Sequence, residues 1–168
     1  MSVDWRRSTW KQFGAAIDML ADAIHLCPEH LWTVEVYKDS EDERFGQFWF
    51  VSYHTLKWLD QFLEGVTKGF KPPAPFIVGA LPEQPYTKNQ VVEYLGACRK
   101  KCQTTIESLT DERAGQILVF DWMEPSFLEL QLYCMRHVQE HAAQLSLILG
   151  QHGVTGTDWV ASARSENI

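Results

Sequence analysis

His137 and His141 stand four residues apart in the run MRHVQEHAAQLSLILGQHG. On a helix that spacing sends both imidazoles off one face, a turn apart, where two neutral ring nitrogens reach a single metal ion. The pair lies within an apolar stripe formed by Phe127, Leu130, Cys134, Val138, Leu145, Ile148 and Leu149. An unpaired polar ring in such a place costs about 1–3 kcal/mol, so a core that accepts two of them must give their nitrogens partners. His54 offers a third ligand, since it shares its face with Phe50, Val51, Trp58 and Phe62 in VSYHTLKWLDQFL. A lone core histidine is usually satisfied by a hydroxyl or a carbonyl. Three inward histidines on two helices are better explained together, as ligands of one divalent ion. Each ligand must be neutral imidazole, so affinity is expected to fall as pH drops below about 6.5.

Rival chemistries use the same residues. HVQEH fits the H-x-x-E-H peptidase pattern with Glu140 as base. The distant carboxylate ligand such an enzyme needs would have to fall among the 27 residues from Ala142 to Ile168, too short a stretch for that fold. A di-iron bundle needs Glu-x-x-His pairs, but the residues three before the histidines are Val51, Cys134 and Val138. A zinc site joining Cys98 and Cys102 to the histidine pair stays chemically open, against the alternative that both are small core residues. Tyr133, one turn before His137, and Gln144, three residues after His141, are placed to reach the edge of the site. His25, His30 and His152 read as ordinary, and the charged tip KDSEDER as a solvated loop.

Four helical stretches must position these groups. The first runs from about Trp5 to Cys27, where Pro28 ends it, and the second from about Phe45 to Glu64. A connection of about 20 residues follows, holding five of the seven prolines, and is read as a crossover because short loops serve antiparallel neighbours. Thr87 and Gln90 open the third helix with capping-box spacing, and the inner stripe runs from Val91 to Leu109. The fourth is expected to begin near Asp121 or Pro125 and to stop near His152, before Gly153. WTVEVY and QILVFDW are candidates for short extended pieces only. The class is all-α: a four-helix bundle, one domain over residues 1–168, with a long crossover between the second and third helices and a polar tail from about Val154.

The stretch around His54, followed by the H-x-x-x-H pair and then Gln144 and Leu145, resembles the DinB-like (YfiT-like) family of metal-binding four-helix bundles. That family places one histidine in the second helix and two in the fourth; the long connection and the late Trp159 also suit it. The resemblance implies a three-histidine site for zinc or nickel with one to three coordination positions left open. It implies as activity a metal-dependent transferase or hydrolase reaction on a small molecule, with a low-molecular-weight thiol such as bacillithiol or mycothiol as cosubstrate. Other relatives have no assigned activity, so a non-catalytic metal-containing binding or stress-related protein is the alternative. Phe50, Trp58 and Tyr133 are candidate pocket walls, and a homodimer is expected.

The bulk numbers narrow the field further. A chain of 168 residues, 45% hydrophobic and 22% charged, has the make-up of a globular domain able to bury a core without staples. Net charge is −7 and no long Lys/Arg run occurs, which argues against nucleic acid as a partner. No apolar stretch approaches the roughly 20 residues of a membrane span. MSVDWRRSTWKQF has no apolar secretory core, so a cytoplasmic location with Cys27, Cys98, Cys102 and Cys134 reduced is expected.

Overall fold

The computed structural model describes residues 4–39 and 41–165; Ser40 of the charged tip and the first three residues of the amino-terminal stretch lie outside them. Helix α1 (Trp5–Leu26) is capped by Asp4, whose carboxylate accepts a hydrogen bond from the Arg7 N–H. Helix α2 (Phe48–Glu64) begins three residues later than periodicity suggests. A short 3-10 turn, Glu43–Gly46, precedes it, and residues 34–36 pair back on residues 46–48 through Val36 N–H to Gly46 O (2.7 Å) and Phe48 N–H to Val34 O (2.9 Å). The start of the expected helix is thus taken up by that turn and by Gln47, whose extended backbone pairs with Glu35 of WTVEVY. Gly65 ends α2 at φ 70, a left-handed conformation that costs only glycine nothing.

Helix α3 (Lys88–Glu107) carries both halves of the capping box between Thr87 and Gln90. A four-residue helix that the sequence does not announce, α4 (Asp111–Ala114), follows under a Thr110 cap. Helix α5 (Phe127–Gln151) starts at the cap Ser126, next to Pro125 and beyond Asp121. A local pairing rules out the earlier start: Leu118 N–H bonds Pro125 O, Phe120 N–H bonds Met123 O and Phe127 N–H bonds Gln116 O, so residues 121–125 are spent on the turn and second arm of a small hairpin. Both extended pieces amount to isolated bridges, Glu35 with Gln47 and Ile117 with Ser126, and the fold is all-helical.

The long helices pack as a bundle in which α1 lies against α3 and α5, and α2 lies against the same two. Cys98 on α3 meets the Leu56 carbonyl of α2, and Lys101 meets Glu64, so α2 and α3 run the same way. Gln131 bonds the Phe62 carbonyl while His141 lies near His54, so α5 runs opposite to α2. Residues 65–87 have to return from the end of α2 to the start of α3. Side chains such as Phe13, Ile17, Trp49, Leu56, Leu95 and Leu130 are fully buried, each contributing about 1.5–3 kcal/mol relative to exposure. Cys98, Cys102 and Cys134 are buried free thiols, and burial pushes the pKa of each upward.

The tail is bound rather than loose. Val160 is buried, the Ala163 N–H donates to the Lys11 carbonyl (2.8 Å), and the Arg164 N–H donates to the Asp18 carboxylate (2.7 Å). Gly14 allows this approach, because a Cβ there would stand 2.5 Å from the Ala163 Cβ. Among the described residues no helix is long and apolar enough to cross a membrane.

Candidate metal centre

Helix α2 carries His54 in its first half and α5 carries His137 and His141 on either side of its midpoint. Because the two helices are antiparallel neighbours, these positions meet at one level. Ring centroids lie 5.4 Å apart for His54 and His137, 5.3 Å for His54 and His141, and 4.5 Å for the α5 pair. One nitrogen from each ring falls within 4.8 Å of the others, a group able to hold a metal ion. Among the described residues no such group includes Cys98 or Cys102. The Cys98 thiol instead faces the Leu56 carbonyl at 3.8 Å, so the cysteine-histidine alternative lapses.

The hydrogen bonds define which nitrogens are free. His141 Nδ1 is 2.8 Å from Gln144 Oε1, so Nδ1 carries the proton it donates and Nε2 carries a lone pair. That Nε2 lies 3.1 Å from His137 Nε2. His137 Nδ1 is buried with no hydrogen-bond partner among the described residues. A tetrahedral ion with nitrogen ligands at 2.0–2.1 Å spaces them about 3.3–3.4 Å apart, close to what this pair already shows. Three imidazoles, one oriented by a side-chain amide, form a donor set that fits a zinc-like divalent ion.

Electrostatics agree with the ligand role. Burial, and then the neighbouring His137, His141 and Lys57, lowers the His54 pKa to about 3. Burial, then His141 and Lys57, lowers that of His137 to about 4. Burial also lowers that of His141, partly offset by Gln144 and Glu140. All three rings are therefore neutral at pH 7, the form that binds metal.

Two clefts reach the cluster, and His54 and Trp58 line both. The larger, of about 380 Å³, is walled by Phe45, Phe50, Tyr53, Lys57 and residues 77–80. The smaller, of about 250 Å³, is walled by Phe62, Trp122, Tyr133 and His137. Phe50, Trp58 and Tyr133 stand where the sequence suggests, and Gln144 holds the His141 ring. Lys57, Trp122 and residues 77–80 are the parts sequence reasoning misses. Lys57 had a signal, a charge one turn from His54 beside an apolar row. Trp122 and residues 77–80 had none, since tertiary folding alone carries them there. Trp159, by contrast, is 74% exposed and lines neither cleft.

The DinB superfamily matches the chain over residues 8–145, a span that contains all three histidines. No curated protein and no solved structure matches it.

Proposed function

Because the chain belongs to the DinB superfamily, we propose that it binds one divalent ion, zinc or nickel, through His54, His137 and His141. We propose further that it acts as a metal-dependent transferase or hydrolase on a small molecule, with a low-molecular-weight thiol as cosubstrate. The observation that carries this reading is the convergence of three neutral imidazoles at the meeting point of two clefts. Three protein ligands, with no fourth His, Cys, Asp or Glu in the group among the described residues, is the pattern of catalytic rather than closed structural sites. When bound, the ion supplies Lewis acidity and lowers the pKa of a coordinated thiol or water.

The chain's own residues supply the rest. Gln144 holds the His141 ring by its Nδ1–H, which keeps Nε2 directed at the group. Phe50, Tyr53, Trp58 and Phe62 exclude water around His54, which strengthens electrostatic interactions there. Tyr133 lines the smaller cleft with His137, where its hydroxyl serves as a hydrogen-bond donor to a reactant. Two clefts sharing one ligand residue suit two reactants approaching from different sides. Homodimerisation belongs to the same proposal, supported by the exposed side chains Ile117, Val119 and Trp122. Sedimentation at micromolar concentration that shows only a 19.4 kDa species counts against it.

The test is elemental analysis of untagged, chelator-free protein, followed by cobalt substitution and titration with small thiols. We expect one ion per chain and a change in the cobalt absorption bands on adding thiol. Absence of stoichiometric metal after supply of zinc or nickel ends the reading. Bands unmoved by any thiol assign the site to a structural or storage role instead.

A further inference from the structure

The larger cleft is apolar apart from a cation. Its walls are Phe45, Phe50, Tyr53 and Trp58, with Ile77 and Val78 reaching over it, and none of its lining residues is an acid. The Lys57 ammonium sits 3.2 Å from the centroid of the Trp58 ring. Among the described residues it makes no ion pair and no hydrogen bond. The neutral histidines beside it cannot serve as counter-ion. A cation–π contact replaces only part of the water an ammonium loses on partial burial. Residues 77–80 are held in place from both sides: the Tyr53 hydroxyl donates to the Ile77 carbonyl, and the Ile77 N–H donates to the Tyr86 hydroxyl at 3.0 Å. Ile77 and Val78 nevertheless stay 42% and 44% exposed, as apolar side chains held over an opening.

We propose that this cleft is a receptor for small carboxylates, with the Lys57 ammonium, beside the histidines, pairing the carboxylate and Phe50, Ile77 and Val78 gripping an apolar body. The proposal deepens the functional reading above, and rests on it only in expecting the bound carboxylate to be a reactant. A volume of about 380 Å³ suits a ligand of that size. An ammonium also excludes a cationic or uncharged competitor of the same shape, so Lys57 sets specificity. It is a binding residue here and not a proton carrier.

The experiment compares 4-phenylbutyrate with its neutral amide, with Kd measured by nuclear magnetic resonance titration of the full chain. Each probe is run on zinc-loaded and on chelator-treated protein, for wild type, Lys57→Met and Lys57→Arg. We expect wild type to bind the acid about tenfold more tightly than the amide in both metal states, the difference one charge-assisted hydrogen bond makes. Lys57→Met should erase that preference in both states, and Lys57→Arg should keep it, with helical circular dichroism unchanged throughout. Equal binding of acid and amide by wild type overturns the proposal. So does a preference that survives Lys57→Met. A preference that disappears on chelation but ignores Lys57→Met shows that the metal takes the carboxylate, which defeats this inference while supporting the metal site. Failure of the metal reading leaves the chelator-treated arm intact, so the two ideas fail separately.

Discussion

Two of the polar side-chain clusters in this bundle, one buried and one half-buried, are built to opposite rules. In the first, Asp18 of α1 is completely buried and accepts from Arg99 Nε (2.7 Å), from Arg99 Nη2 (3.3 Å) and from the Arg164 N–H (2.7 Å). Arg99, itself buried, also donates to the Arg164 carbonyl at 2.8 Å, so two helices and the tail close on one carboxylate. No buried side-chain nitrogen or oxygen in that cluster lacks a partner. In the second, three histidines face one another, His137 Nδ1 is without a partner among the described residues, and two clefts lead in. A polar cluster that satisfies itself positions helices. One that keeps unshared lone pairs under an opening has binding capacity left for something else.

The contrast breaks most visibly at the ion pair. Arg99→Met removes one partner and leaves the Asp18 charge buried, so urea unfolding should show a loss of roughly 3–5 kcal/mol. Protein that still folds should bind metal as before. A loss under about 1 kcal/mol would mean that the tail and α3 are not held through Asp18 in the way the geometry indicates.

His54→Ala should show the reverse pattern. Altering a residue that merely orients a ligand lowers metal affinity 10–100-fold, so removing a ligand should cost at least about a hundredfold. Metal-free stability should change far less than in Arg99→Met. Competition titration against a chelator of known affinity reads the first effect and urea unfolding the second. Affinity equal to wild type would give the α5 pair a different third partner.

The two clusters should also separate by pH. In the metal-free fold the His54 pKa is lowered to about 3 and that of His137 to about 4, with His141 lowered as well, against about 6.5 in the unfolded chain. Below about 6.5 the unfolded chain therefore binds more protons than the folded one. The histidine contribution is complete above that pH and is lost as pH falls toward 4. Urea midpoints at several pH values, with chelator present, should fall through this window, and His54→Ala should flatten the fall. The depressed pKa values also mean that protons compete with metal for the folded site only at lower pH than free imidazole suggests. Midpoints unchanged between pH 7 and pH 4.5 would contradict the burial assigned to the rings.

The smallest effect belongs to Gln144→Ala. It removes the acceptor for His141 Nδ1–H and should weaken metal binding by about tenfold, the lower end for an orienting partner. Affinity unchanged in the same chelator competition would show that packing alone orients the ring.

How much of this was legible before folding follows from the range of each interaction. The helices of the bundle were readable because 3.6-residue periodicity, the Thr87–Gln90 box and the stop at Pro28 act within one or two turns. The relation of His137 to His141 is fixed by a helical turn, and the inward face of His54 by its own row of apolar neighbours. Boundaries were settled where an extended piece competed: residues 34–36 claimed residues 46–48, so α2 begins later than its pattern suggests, and residues 116–120 claimed residues 123–127, so α5 starts near Pro125 and not near Asp121. Nothing local distinguishes Asp18 from any other acid on an amphipathic helix, or announces that Arg164 returns to it across 146 positions. The same holds for Trp122 and residues 77–80, brought to the histidines by loops whose path local propensity does not encode. Sequence alone determined which residues could bind a metal. Their surroundings, the lone ammonium, the aromatic walls and the strapped tail, were decided by tertiary packing, because each depends on groups that meet only after the chain has closed.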